Sequence, residues 1–222
     1  MTPNPEPIEE GDALAAVREA ARSHFRDARG SHAWDHTCRV VRLCERIGPA
    51  EGADRVVLGA AALLHDIGRG CQDASNGAVC HAERGEILAR PVVAALPLSA
   101  PRRDNILHCI RTHRFRGDQV PATVEARVLF DADKLDAIGA VGVARAFLFA
   151  GEVGARLHNP DVAPEDTRPY TADDTGYREY RIKLARIRER ILTAEGRRLA
   201  DERHRFMEAF FERFLEEYDG KH

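Results

Sequence analysis

At 222 residues and 24.7 kDa the chain is long enough to bury one sizeable hydrophobic core or two small ones. With 44% hydrophobic and 31% charged residues it has the balance of a folded soluble protein, not of a disordered chain. A net charge of -3 and a pI near 6.4 exclude the broad basic surface of a general polyanion binder, while leaving room for a local basic pocket.

Residues 1–11, rich in Pro and Glu, are expected to form a flexible tail without a basic-then-apolar leader pattern. No apolar run approaches the roughly 18 to 20 residues of a membrane span. A cytoplasmic protein with no membrane partner and no nucleic-acid polymer partner is therefore expected. The five cysteines, Cys38, Cys44, Cys71, Cys80 and Cys109, show no CxxC spacing and read as reduced thiols, most of them small core residues.

The spacing of Leu14, Val17, Ala21 and Phe25 predicts a first helix over 12–28, with Asp12 as its N-cap. After a turn at Arg29-Gly30-Ser31, a second helix is predicted over 34–47, with Val40, Val41, Leu43, Cys44 and Ile47 inside. A third, over 53–66, contains the apolar run from Val56 to Leu64 and stops at Gly68. Arg69 to Cys80 reads as a polar loop.

Helix resumes from His81 to Leu96, with a kink or break predicted at Pro91. Ser99-Ala100-Pro101 starts another that runs through Ile106, Leu107 and Ile110 towards His113. Two Ala- and Val-rich helices follow over 122–138 and 139–150. The Pro-punctuated stretch 151–175 is irregular, and two charged amphipathic helices over 174–194 and 195–218 close the chain. On the last, Phe206, Phe210, Phe211, Phe214 and Leu215 form a stripe expected to pack into the core. No alternating strand pattern or clear linker interrupts this series. The predicted fold is all-α, one domain spanning residues 12–219.

One pair stands out chemically. The apolar helix ending at Leu64 delivers His65 and Asp66 at its end, and buried titratable groups need partners. A divalent metal suits an imidazole and a carboxylate together. Three other places supply candidate partners: the segment Ser31-His32-Ala33-Trp34-Asp35-His36-Thr37; the segment Asp131-Ala132-Asp133-Lys134-Leu135-Asp136 between apolar flanks; and His81 with His113.

In their order His36, then His65-Asp66-Ile67-Gly68, then Asp131, these residues resemble the H…HD…D pattern of the HD superfamily of metal-dependent phosphohydrolases. Ser31 to Val40 resembles the family's opening motif, and His81 to Ala89 the segment that follows the metal-binding pair. Tyr180 to Asp219 is similar to the tail of small bacterial HD proteins that hydrolyse nucleotides.

The resemblance implies an HD-type helical bundle and a metal held by His36, His65, Asp66 and Asp131. Such a mixed nitrogen and oxygen set suits Mn²⁺ first, admits Fe²⁺, Co²⁺, Ni²⁺ or Zn²⁺, and suits Mg²⁺ less well. It also implies a catalytic role for Asp66, as a ligand that orients the attacking water. Lys134, one helical turn after Asp131, is assigned to charge balance or phosphate contact, and Asp136 to holding that arrangement.

His81 and His113 are candidates for a second metal, for phosphate binding or for general acid catalysis. His32 is assigned to orientation or phosphate contact. Arg69 stands where some nucleotide-cleaving relatives carry an acid; it is a candidate phosphate contact, and its presence leaves Glu83 and Asp73 open as the general base. Arg39, Arg111 and Arg114 add positive charge nearby.

The expected function is hydrolysis of a small phosphate-bearing substrate, foremost a (deoxy)nucleoside triphosphate. The alternatives are a non-catalytic metal or nucleotide sensor and a di-iron oxygenase. A homo-oligomer is left open.

Overall fold

The computed structural model describes residues 10–25, 34–75, 77–114 and 119–221, and among these the regular structure is entirely helical. The arrangement is α1 (Glu10–Arg22), α2 (Trp34–Glu51), α3 (Arg55–Leu64), α4 (Arg69–Ala74), α5 (His81–Ala94), α6 (Ala100–Thr112), α7 (Val124–Asp136), α8 (Gly139–Glu152), α9 (Gly176–Ile182) and α10 (Ala194–Tyr218). None of these helices is long and apolar enough to cross a membrane. Packing is organised in two compact units, the first running to Phe130 and the second beginning at Asp131, within α7.

In the first unit α3 is the central element, packed against α1, α2 and α6. Its sequence explains why. Val56, Val57, Leu58 and the run from Ala60 to Leu64 are all buried, so the helix is apolar on every side. Each fully buried Leu or Val contributes about 1.5 to 3 kcal/mol relative to exposure. Asp54 starts the helix by accepting from the Val56 and Val57 amides at 3.0 and 3.1 Å. Glu125 on α7 ties this corner together, accepting from the Asp54 amide and from Asn105 on α6.

In the second unit α8 packs against α9 and α10. Phe147 of α8 lies among Phe210, Phe211 and Phe214, and Tyr180 stacks on Phe211 at 4.3 Å between ring centroids. The turn from α7 to α8 needs Gly139, which has φ +78° and sits against the aliphatic stem of Arg203. Arg203 in turn donates to the Leu135 carbonyl at the end of α7.

Several expectations are corrected. Helix α1 begins at Glu10, so Asp12 lies inside its first turn and is not its N-cap. The turn at Arg29-Gly30-Ser31 lies outside the described residues. The segment after Gly68 is not a loop throughout: α4 forms at once and packs against α5. Of the kink or break expected at Pro91 the break does not occur: helix α5 continues through this residue, which lies on its exposed side, where water can serve the carbonyl that lacks an amide partner.

The helix expected over 174–194 ends at Ile182 and gives way to two 3₁₀ turns at Leu184–Arg186 and Arg188–Arg190. Only Phe211 of the aromatic stripe is buried, whereas Phe206 is 47% exposed. Of the cysteines, Cys44 and Cys109 are buried and the other three are partly exposed.

Two consequences can be measured. A Cβ at Gly68 would lie 2.2 Å from the His81 carbonyl oxygen and 2.6 Å from the Gly85 amide nitrogen, both rigid backbone of α5. Gly68→Ala is therefore expected to cost about 1 to 3 kcal/mol in urea unfolding. Gly70→Ala, where a Cβ meets nothing within 4 Å, should be neutral or stabilising by about 0.5 to 1 kcal/mol; equal effects at both positions would contradict this packing.

The second concerns pH. Burial tends to raise the Asp54 carboxyl, but Arg102 and the Val56 and Val57 amides outweigh it and hold the group below its ordinary value. Its stabilising contribution is thus complete above the unfolded carboxylate range and lost as pH falls through the lowered folded value. Asp54→Asn should flatten the acid limb of the stability–pH curve, and an unchanged limb would contradict the assignment.

Candidate metal centre

His36 projects from the first turn of α2, and His65 and Asp66 follow directly on the last residue of α3. His81 opens α5 and His113 caps the end of α6. All five residues are buried, none more than 4% exposed. The first unit brings them together around one carboxylate. Oδ2 of Asp66 lies 3.7 Å from His36 Nε2 and 3.9 Å from His65 Nε2; Oδ1 lies 3.5 Å from His81 Nε2 and 3.6 Å from His113 Nε2.

The outer nitrogens explain which way the rings face. His65 Nδ1 donates to the Ala62 carbonyl at 2.8 Å and His113 Nδ1 to the Ile110 carbonyl at 2.6 Å, while His81 Nδ1 donates to Gln72 Oε1 at 2.7 Å. In a neutral ring the proton on Nδ1 leaves a lone pair on Nε2. Those lone pairs converge: His65 Nε2 is 3.3 Å from His36 Nε2, and His81 Nε2 is 3.2 Å from His113 Nε2. Buried acceptors facing one another around an anionic oxygen repel unless a cation lies among them, so the donor chemistry fits a divalent metal.

Two three-residue donor sets result, His36 with His65 and Asp66, and Asp66 with His81 and His113. Arg69 reaches this cluster, with Nη2 donating to Asp66 Oδ1 at 3.1 Å and lying 3.2 Å from His81 Nε2. Burial pushes the Asp66 carboxyl up, but the surrounding His65, Arg69, His113 and His36 side chains, of which Arg69 brings a fixed positive charge, outweigh it and hold the group well below the usual carboxylate range.

Asp131 belongs to the second unit and is fully buried there. Its carboxylate accepts from the amides of Leu192 (2.9 Å) and Thr193 (2.7 Å) and from the Thr193 hydroxyl (2.6 Å). Burial raises its pKa, and these donors oppose the rise. Thr193 is also the N-cap of α10, and a Cβ on Gly196 would come within 2.6 Å of Asp131 Oδ2, so the start of α10 is shaped around this side chain. In the same unit Lys134 Nζ lies 2.6 Å from Asp133 Oδ2, and Arg145 donates to Asp136 Oδ2 at 2.7 Å.

His32 lies outside the described residues. Arg39 pairs with Asp35, Arg111 with Glu86, and Arg114 donates to Cys80 Sγ. Glu83 and Asp73, the candidate bases, are both exposed on their helices. Sequence reasoning passed over Gln72, hidden in a supposed loop, and Thr193, although a Thr just before a helical run is a capping signal that pointed to it.

The HD domain family matches residues 33–138. The uncharacterized protein YpgQ of Bacillus subtilis is 31% identical over 208 residues, covering 92% of this chain and 93% of that protein. A crystal structure of YpgQ in complex with ADP superposes with a TM-score of 0.70 at 30% identity, over 92% of this chain and 96% of the other. An HD-superfamily hydrolase from Bacillus thuringiensis gives a TM-score of 0.75 at 25% identity, over 95% and 98% of the two chains. A ribonuclease Y from Borreliella burgdorferi matches at 28% identity over 121 residues, 54% of this chain and only 22% of that enzyme. The chain belongs to the HD superfamily of metal-dependent phosphohydrolases.

Proposed function

We propose that the substrate is a nucleotide, foremost a (deoxy)nucleoside triphosphate, cleaved to release pyrophosphate or phosphate. The observation that carries this reading is the buried donor set centred on Asp66, with Arg69 beside it. The ADP bound to YpgQ supports a nucleotide over other small phosphate esters. The likeness to YpgQ over 92% of the chain favours treating residues 12–219 as one functional domain. The net charge of -3 disfavours an RNA polymer as substrate despite the partial likeness to ribonuclease Y.

His36, His65 and Asp66 would hold the metal, with Asp131 as the further carboxylate that the family pattern provides. Mn²⁺ is favoured for this nitrogen and oxygen set. When bound, a divalent cation lowers the pKa of a water and withdraws charge from the phosphoryl oxygens. The protein's own groups do the rest. Ala62 and Gln72 keep the protons of His65 and His81 on the outer nitrogens, so that the inner ones remain donors to metal. Asp66, held ionised, is placed to accept a hydrogen bond from water and orient it. Arg69 presents a guanidinium to phosphate oxygens, and Lys134 is assigned the same charge-neutralising role. A cytoplasmic site of action is part of this proposal, supported by the five cysteines being free thiols.

A second reading concerns metal number. Oδ1 of Asp66 with His81 and His113 makes a second donor set, which favours either a second cation or a phosphate-binding and proton-donating role for these histidines. Metal analysis separates the two: two equivalents per chain, falling to one in His113→Ala, supports the second cation. Two equivalents of iron with oxygen uptake would instead favour the oxygenase reading.

The function itself is tested by loading the purified chain with Mn²⁺ and assaying phosphate and pyrophosphate release from a panel of nucleoside mono-, di- and triphosphates. Turnover of a triphosphate is expected, and Asp66→Ala should reduce it to background while the circular dichroism spectrum stays helical. Silence across the whole panel overturns the reading, and nucleotide-dependent thermal stabilisation without turnover would favour a sensor. Gln72→Ala, which frees the outer nitrogen of His81, is expected to lower activity or metal affinity by about 10- to 100-fold; an unchanged value would remove the role given to that hydrogen bond.

A further inference from the structure

Helix α10 buries one face through Gly196, Leu199, Ala200, His204, Met207 and Phe211. A different stripe remains open to solvent. Arg198, Glu202, Phe206, Ala209, Arg213 and Glu217 follow one another at spacings of four, four, three, four and four residues, which places them along a single side of the helix. The four charged side chains are 53 to 66% exposed, and Phe206 is 47% exposed. Phe206, Ala209 and Arg213 also line a shallow groove with Phe210, Phe214 and Glu217.

The stripe is self-complementary when its direction is reversed. Laid antiparallel on itself about a point between Met207 and Glu208, Arg198 meets Glu217, Glu202 meets Arg213, and the large Phe206 meets the small Ala209, each pair occurring twice. Complementary flanking charges specify partner and orientation in paired helices, and a small residue opposite a ring lets the axes approach. Along the free helix the same charges already alternate in pairs, Arg198 with Glu202 at 3.7 Å and Arg213 with Glu217 at 2.6 Å. The stripe therefore carries no uncompensated charge into an interface.

We propose that this face binds a second copy of the chain, forming a two-fold symmetric dimer through antiparallel α10 helices. The contact spans about 28 Å of helix at roughly 1.5 Å per residue, so a concentration-dependent dimer is expected. Phe206 of each copy occupies the groove over Ala209 of the other.

Sedimentation velocity of the full chain over a concentration series tests this. The unaltered protein should show a monomer–dimer equilibrium, and Phe206→Glu should be monomeric throughout with its helical circular dichroism retained. Glu202→Arg and Arg213→Glu, each placing like charges opposite one another, should each weaken dimerisation by at least about tenfold. The double variant Glu202→Arg/Arg213→Glu restores opposite charges across the two-fold axis and should regain the dimer. The proposal is overturned by an unaltered protein that stays monomeric, by a dimer indifferent to Phe206→Glu, or by a double variant no stronger than the singles.

Discussion

The site rests on an electrostatic conflict at Asp66. Four imidazoles from four helical segments turn their inner nitrogens on one buried carboxylate, and three of them have their outer protons committed to fixed acceptors. Left alone, such an arrangement sets acceptor against acceptor in a region of low dielectric, where unpaired polar groups are penalised most. Arg69 supplies one positive charge at this point. A divalent cation would satisfy the rest, and the rings of His65, His81 and His113 cannot turn away without breaking a hydrogen bond.

That constraint accounts for features of the chain that composition leaves unexplained. Helix α3 is apolar on all sides because it carries His65 and Asp66 into the interior and has no solvent face to maintain. Gly68 is required because the chain, turning immediately into α4, passes within contact of the α5 backbone that bears His81. The short α4 has few intrinsic reasons to form, since helices this short are marginal alone. It is held by its packing on α5, and it delivers both Arg69 and Gln72 to the cluster.

Much of the site was legible in the amino-acid sequence because its logic is local. An imidazole and a carboxylate ending an apolar helix, with further histidines opening or closing helices, are visible as violations of amphipathic pattern. The family motif then orders them. What was not legible depends on tertiary contact. The segment from Arg69 reads as loop because six residues with no apolar stripe have no periodicity to display. The aromatic stripe of α10 reads as core because ring-rich spacing identifies a face without saying what covers it; the fold assigns Phe211 inward and leaves Phe206 in water. Pro91 reads as a kink or break because the rule against internal proline takes no account of a carbonyl left open to solvent. Asp131 was legible as a buried acid, but its cradle of Leu192 and Thr193 lies some sixty residues further along the chain.

In this arrangement His36 and His65 would present unprotonated inner nitrogens to a divalent metal beside Asp66. Histidine side-chain ¹⁵N spectra of the full chain, recorded before and after one equivalent of diamagnetic Zn²⁺, address it directly. The Nε2 resonances of His36 and His65 should move to the metal-bound range, while Nδ1 of His65 keeps the signature of a protonated donor to a carbonyl. Nε2 signals that do not move, or a response confined to other histidines, would contradict the account.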